Sequence, residues 1–146
     1  MCADSPNDFL DLRADLSFGL GGATCDTNRW SEFLVHAQDQ LHYRLRSDAA
    51  ASIPPSSNTA IAYSELGLAQ ALMKEYEDGV HNCDKAIQLY ARQPDVIDGS
   101  YFPAFPHLHR ALALVGAGRP QEGERGLLEF IGWHEARYGP GQTDFT

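Results

Sequence analysis

Apolar positions recur every three to four residues along most of the chain, the spacing of helices that bury one face. From Ala62 to Leu89 the sequence AYSELGLAQALMKEYEDGVHNCDKAIQL reads as two helices around a turn at Lys74-Glu75. Tyr63, Leu66, Gly67 and Gln70 share a face of the first, and Val80, Cys83, Ile87 and Tyr90 share a face of the second. Neither stripe can be buried alone, so the two helices are expected to close on each other as a hairpin.

Upstream, residues 1–7 read as a loose leader, Asp8 as a helix start, and Phe9, Leu12, Leu16 and Leu20 as a stripe. The same helix holds Gly19, Gly21 and Gly22. An interior glycine costs up to about 1 kcal/mol relative to alanine, and close backbone approach is the usual compensation. The helix is therefore expected to press tightly on its hairpin mate. Asp26-Thr27-Asn28 has turn and cap chemistry, and a second helix follows with Trp30, Phe33, Leu34, Ala37 and Leu41 inward. The linker Arg46–Asn58, with Pro54-Pro55, breaks that helix.

Downstream, Arg92-Gln93-Pro94 ends a fourth helix, and an extended loop carries Asp98-Gly99 and the run Tyr101-Phe102-Pro103-Ala104-Phe105-Pro106. A fifth helix runs through Leu108, Ala111, Leu112 and Val115, and Pro120 opens a sixth. The sixth carries Leu127, Leu128, Ile131 and Tyr138 on one side, while Phe130 and Trp133 flare toward another. The pattern predicts an all-α chain of three helical hairpins.

The central pair resembles a tetratricopeptide repeat through Leu66-Gly67, the small Ala69, the turn aromatic Tyr76, and Gly79, Cys83 and Ala86. The first pair fits the same frame more loosely, with Leu20-Gly21, Ala23, Trp30 and Phe33. The second place of the Leu-Gly pair falls at Gly21, Gly67 and Ala111, close to evenly spaced. That interval, with the run from Gly118 to Pro140, is similar to the longer-period tetratricopeptide repeats of kinesin-light-chain-like and fungal proteins. The resemblance implies a right-handed α–α superhelix in one domain spanning 8–140, with repeats near 8–47, 57–92 and 102–138 and a tail at 141–146. It also implies a concave groove built from the first helix of each pair. By register that groove holds Phe18 and Gly22, then Ile61, Ser64, Glu65, Leu68, Ala71 and Leu72, then Phe105, Leu108, His109, Leu112 and Val115. Repeats that grip the carboxylate tail of chaperones use Lys, Asn and Arg on these positions. Here they read Phe18, Gly22, Glu65, Phe105 and His109, so a chaperone tail is not the expected partner.

Charge narrows the partners further. The net charge of −9 argues against nucleic acid and anionic membrane. The three cysteines Cys2, Cys25 and Cys83 lie far apart without a metal or disulfide spacing, which suits a reducing, cytoplasmic or nuclear setting. The N-terminus lacks a signal-peptide pattern, and no apolar run reaches membrane-span length. Six histidines are present, but no HExxH, GxSxG, P-loop or GxGxxG, so no metal, cofactor or catalytic residue is expected. Cys83 reads as a buried structural thiol.

The expected function is an adaptor that binds an apolar or amphipathic protein segment. Its groove would use Phe18, Glu65, Leu68, Leu72, Phe105, Leu108, His109 and Leu112. Phe130 and Trp133 on the sixth helix form a second expected contact, for a partner or a second copy of the chain. The alternative is a small pocket enzyme or ligand-binding protein, of isomerase or cyclase type, using His109, Glu65 and Tyr101 as polar groups in an apolar site closed by the run from Tyr101 to Pro106.

Overall fold

A computed structural model of the chain describes residues 6–92 and 103–139, and within them every regular element is an α-helix. The helices are α1 (Pro6–Asp26), α2 (Trp30–Ala50), α3 (Ser57–Leu72), α4 (Tyr76–Ala91), α5 (Ala104–Gly116) and α6 (Pro120–Tyr138). Cys2, Asp98-Gly99, Tyr101, Phe102 and the tail after Gly139 lie outside the described residues.

Three turns of one design close the three hairpins. Asn28, Lys74 and Gly118 adopt left-handed backbone, with φ of 58°, 64° and 77°. Their amides donate to Cys25, Ala71 and Val115, and the next amides, of Arg29, Glu75 and Arg119, reach back to Thr24, Gln70 and Leu114, each at 2.8 Å. This paired hydrogen bonding satisfies carbonyls that a helix end leaves open. Each second helix then begins one residue later, at Trp30, Tyr76 and Pro120.

The helices of each pair also cross at one register. Gly21 faces Phe33, Gly67 faces the Gly79 carbonyl, and Ala111 faces Gly123. The partner lies twelve positions downstream in every case. Gly67 has a physical reason to be glycine: an added Cβ would overlap Cys83 Sγ and sit 2.9 Å from the Gly79 oxygen. Cys83 is wholly buried there.

Two apolar clusters join the hairpins. Phe33 and Ala37 of α2 pack on Leu66 and Ala69 of α3. Ala71, Val80, Ala113 and Leu114 join α3, α4 and α5. Thus α2 packs on α3, and both α3 and α4 pack on α5, while α1 makes no comparable contact with α3.

The first hairpin departs from expectation in three ways. The linker is shorter than Arg46–Asn58, because α2 runs on to Ala50. Residues of that last turn are in use: Ser47 Oγ donates to Asp11 at 2.8 Å, and Asp48 accepts from the Ser56 amide at 3.2 Å and the Thr59 hydroxyl. Trp30, expected inward, is more than one-third exposed, since it sits at the first position of α2 beside the turn. Most tellingly, α1 buries Leu10, Ala14, Ser17, Gly21 and Thr24, and leaves Phe9, Leu12, Leu16 and Leu20 exposed. Its seam with α2 is polar, with Arg44 bonded to Asp11 and Asp15, so the helix turns its weaker apolar face inward. The expected close backbone approach is not made: a Cβ on Gly21 would meet Phe33 at ordinary contact distance, and Gly19 and Gly22 face open space.

Candidate functional site

A pocket of about 380 Å³ lies where α1, α3, α4 and α5 meet. Phe18, Ile61, Ser64, Glu65, Leu68, Tyr90, Phe105 and His109 line it. Five of the eight expected groove residues therefore converge on one space: Phe18, Glu65, Leu68, Phe105 and His109. The other three do not. Leu72 packs against the Phe33–Leu66 cluster. Leu108 and Leu112 lie outside the pocket, on the exposed face of α5.

Helical spacing explains the assembly. Ile61, Ser64, Glu65 and Leu68 follow one another at steps of three and one on α3, which places them on one face. Phe105 and His109 are four apart on α5, and their rings stack with centroids 5.9 Å apart. His109 is held by α3: its Nδ1 lies 3.0 Å from the Ser64 carbonyl and 2.9 Å from Ser64 Oγ. With Nδ1–H donating to that carbonyl, Nε2 is the basic nitrogen left available. Burial lowers the His109 pKa, the carbonyl bond opposes this, and the ring stays neutral near pH 7.

Glu65 is the chemically unusual member. It makes no ion pair or hydrogen bond among the described residues, and desolvation pushes its carboxyl up to about 7. Its charge reaches two neighbours, raising the pKa of Cys25 on α1 and of Tyr90 on α4, after the larger effect of burial in each. Tyr90 is 7% exposed, and its hydroxyl has no hydrogen-bond partner among the described residues. Among the described residues the pocket thus offers a mostly apolar wall of rings and aliphatic side chains, with one carboxyl raised to about 7 and one imidazole whose pKa is lowered.

Tyr90 was not legible as part of a site. Its place on the inward stripe of α4 marks it as core, and only the packing of α4 behind α3 brings it to the pocket.

A second cleft, of about 710 Å³, runs between α4, α5 and α6. Phe130 and Trp133 both line it. Phe130 does not simply flare outward: its ring stacks on His107 of α5 at 4.5 Å and on Trp133 at 5.8 Å. Trp133 remains 41% exposed, with the Arg137 guanidinium 5.8 Å from its ring. Arg110 crosses the cleft to Asp84 at 2.6 Å and approaches Glu122 at 3.7 Å, which spends its charge inside the joint. Burial and Arg110 together lower His107 to about 4.

His107 and His109 therefore serve opposite sides of α5, as a two-residue step on a helix requires. No group of three or more His, Cys, Asp or Glu is placed to hold a metal among the described residues. No described helix is long and apolar enough to cross a membrane. No family model, curated protein or solved structure matches the chain.

Proposed function

We propose that this chain is a three-hairpin module of tetratricopeptide type, an adaptor that binds an amphipathic protein segment along its first helices. One observation carries the reading. Phe105, Leu108, Leu112 and Val115 of α5 form a continuous stripe at helical spacing, and they stay 42%, 46%, 45% and 57% exposed. Side chains of this size in line on a packed helix are the usual mark of a surface that takes a partner. The stripe leads into the pocket through Phe105, so a bound helix could seat one anchor there.

The repeated turn and the twelve-residue crossing register support the family reading, because both recur at the places the tetratricopeptide frame assigns. The acidic balance of the chain favours a segment with basic flanks. Free thiols at Cys25 and Cys83 suit a cytoplasmic setting. A second copy docking through Trp133 remains the competing use of the α6 face.

The test is a peptide or proximity-capture screen with wild type and Leu112→Glu. A partner segment that binds wild type and loses at least tenfold affinity to the variant, with unchanged melting, supports the reading. A partner that binds both equally would overturn the groove assignment. Light scattering with Trp133→Ala separates a dimer built on α6.

A further inference from the structure

The pocket between α1 and α5 has a ligand chemistry of its own. Its rings come from three separate helices: Phe18 on α1, Tyr90 on α4, and Phe105 with stacked His109 on α5. The faces of aromatic rings carry negative charge density, and several around one space attract a cation that has an apolar periphery. Among the described lining residues one carboxyl, Glu65, lies with them, and it makes no ion pair or hydrogen bond among the described residues. No Lys or Arg lines the pocket among the described residues. The imidazole in the pocket, His109, is buried, and that burial disfavours its charged form.

We infer that this pocket binds an alkylammonium group, with Phe18, Tyr90 and Phe105 as its walls and Glu65 as its counter-ion. A neutral apolar guest would fill the rings but leave Glu65 unpaired, and an anion would meet it head on. A quaternary or alkylated ammonium satisfies both parts at once. The size of the pocket admits such a head group with part of its chain.

Protons report on the event. Binding a cation favours ionised Glu65, whose carboxyl otherwise sits at about 7, so affinity rises from about pH 6 to about pH 8. Among the described residues, the titratable groups facing Glu65 are Cys25 from α1, Tyr90 from α4 and His109 from α5. Both raised groups, Cys25 and Tyr90, remain protonated across that window. Burial lowers the His109 pKa, which favours its neutral form.

The source of the ammonium is either a free small molecule or an alkylated lysine side chain of a protein. The experiment is calorimetric or NMR titration of the full chain with choline, with its uncharged isostere 3,3-dimethylbutan-1-ol, and with a peptide carrying trimethyl-lysine. Expected is saturable choline binding at millimolar or lower concentration, at least tenfold weaker binding of the isostere, and at least tenfold loss in Glu65→Gln and in Phe105→Ala. Tighter binding of the peptide than of choline assigns the lysine source, and equal binding assigns a free amine. Equal binding of the neutral isostere, retention of affinity in Glu65→Gln, or no binding of either ammonium probe would overturn the inference. It does not rest on the groove reading, since Leu112→Glu leaves choline binding intact even where it abolishes a partner.

Discussion

Gly67 and Cys83 pack so closely that no β-carbon fits between them. A methyl on Gly67 would meet both the Cys83 sulfur and the Gly79 backbone oxygen, and the backbone has nowhere to go. Gly67→Ala is expected to cost about 2 kcal/mol or more by overpacking. Gly22→Ala on α1 is expected to do the reverse, adding up to about 1 kcal/mol, because its β-carbon would meet open space. Paired thermal melts check both signs together.

The hairpin turns give a second prediction. Lys74 occupies the left-handed position that Gly118 fills in the third turn. Glycine carries no Cβ penalty there, so Lys74→Gly is expected to stabilise by about 0.5–1 kcal/mol. Gly118→Ala should lose about 1 kcal/mol. Denaturant midpoints at constant slope would show it, and a changed slope would point instead to an altered denatured state.

Asp48 adds a polar tie between the first hairpin and the start of α3. It is buried and accepts hydrogen bonds from Thr59 and the Ser56 amide. Thr59→Val keeps the volume but strips a donor from a buried acceptor, at an expected cost of about 2 kcal/mol. Chemical unfolding of the single variant measures it, and an unchanged midpoint would mean solvent replaces the hydroxyl.

Acid and base limbs of the stability curve have separate owners. Glu65 has its folded pKa raised to about 7, so its contribution is fully present below the ordinary carboxyl range and is lost as pH rises toward 7. Glu65→Gln should therefore melt higher than wild type at pH 8, with the gap closing as pH falls toward 5. His107 runs the other way. Its folded pKa is lowered to about 4, so the unfolded chain takes up a proton first, and stability falls as pH drops from its ordinary value of 6.5 toward 4. His107→Phe keeps the stack on Phe130 and is expected to flatten that acid limb.

Much of the fold can be read along the chain, because period and punctuation act locally. The Leu66-Gly67 and Gly79–Cys83 positions say which helices pair and where they cross. The same logic collects Phe18, Glu65, Leu68, Phe105 and His109 at one place. It fails on α1 for an equally physical reason. Periodicity finds the strongest apolar stripe, Phe9 to Leu20, but the packed face is chosen by the partner. The partner α2 presents Arg44 and Ser47 to Asp11 and Asp15, so the polar and small side of α1 goes inward. Leu72 packs instead against the cluster that α2 and α3 share, a tertiary neighbourhood that helical register does not reveal.

The polar seam between α1 and α2 also sets an order of release. Apolar packing grips α3, α4 and α5 together, whereas the α1–α2 seam adds to Leu10, Ala14 and the Gly21–Phe33 contact the pairs of Arg44 with Asp11 and Asp15, which are open to solvent on the carboxylate side. Salt weakens such pairs and leaves apolar packing intact. The N-terminal helix is then a latch with an ionic catch: amide exchange should open it first, and raising ionic strength should widen the gap between its protection and that of α3.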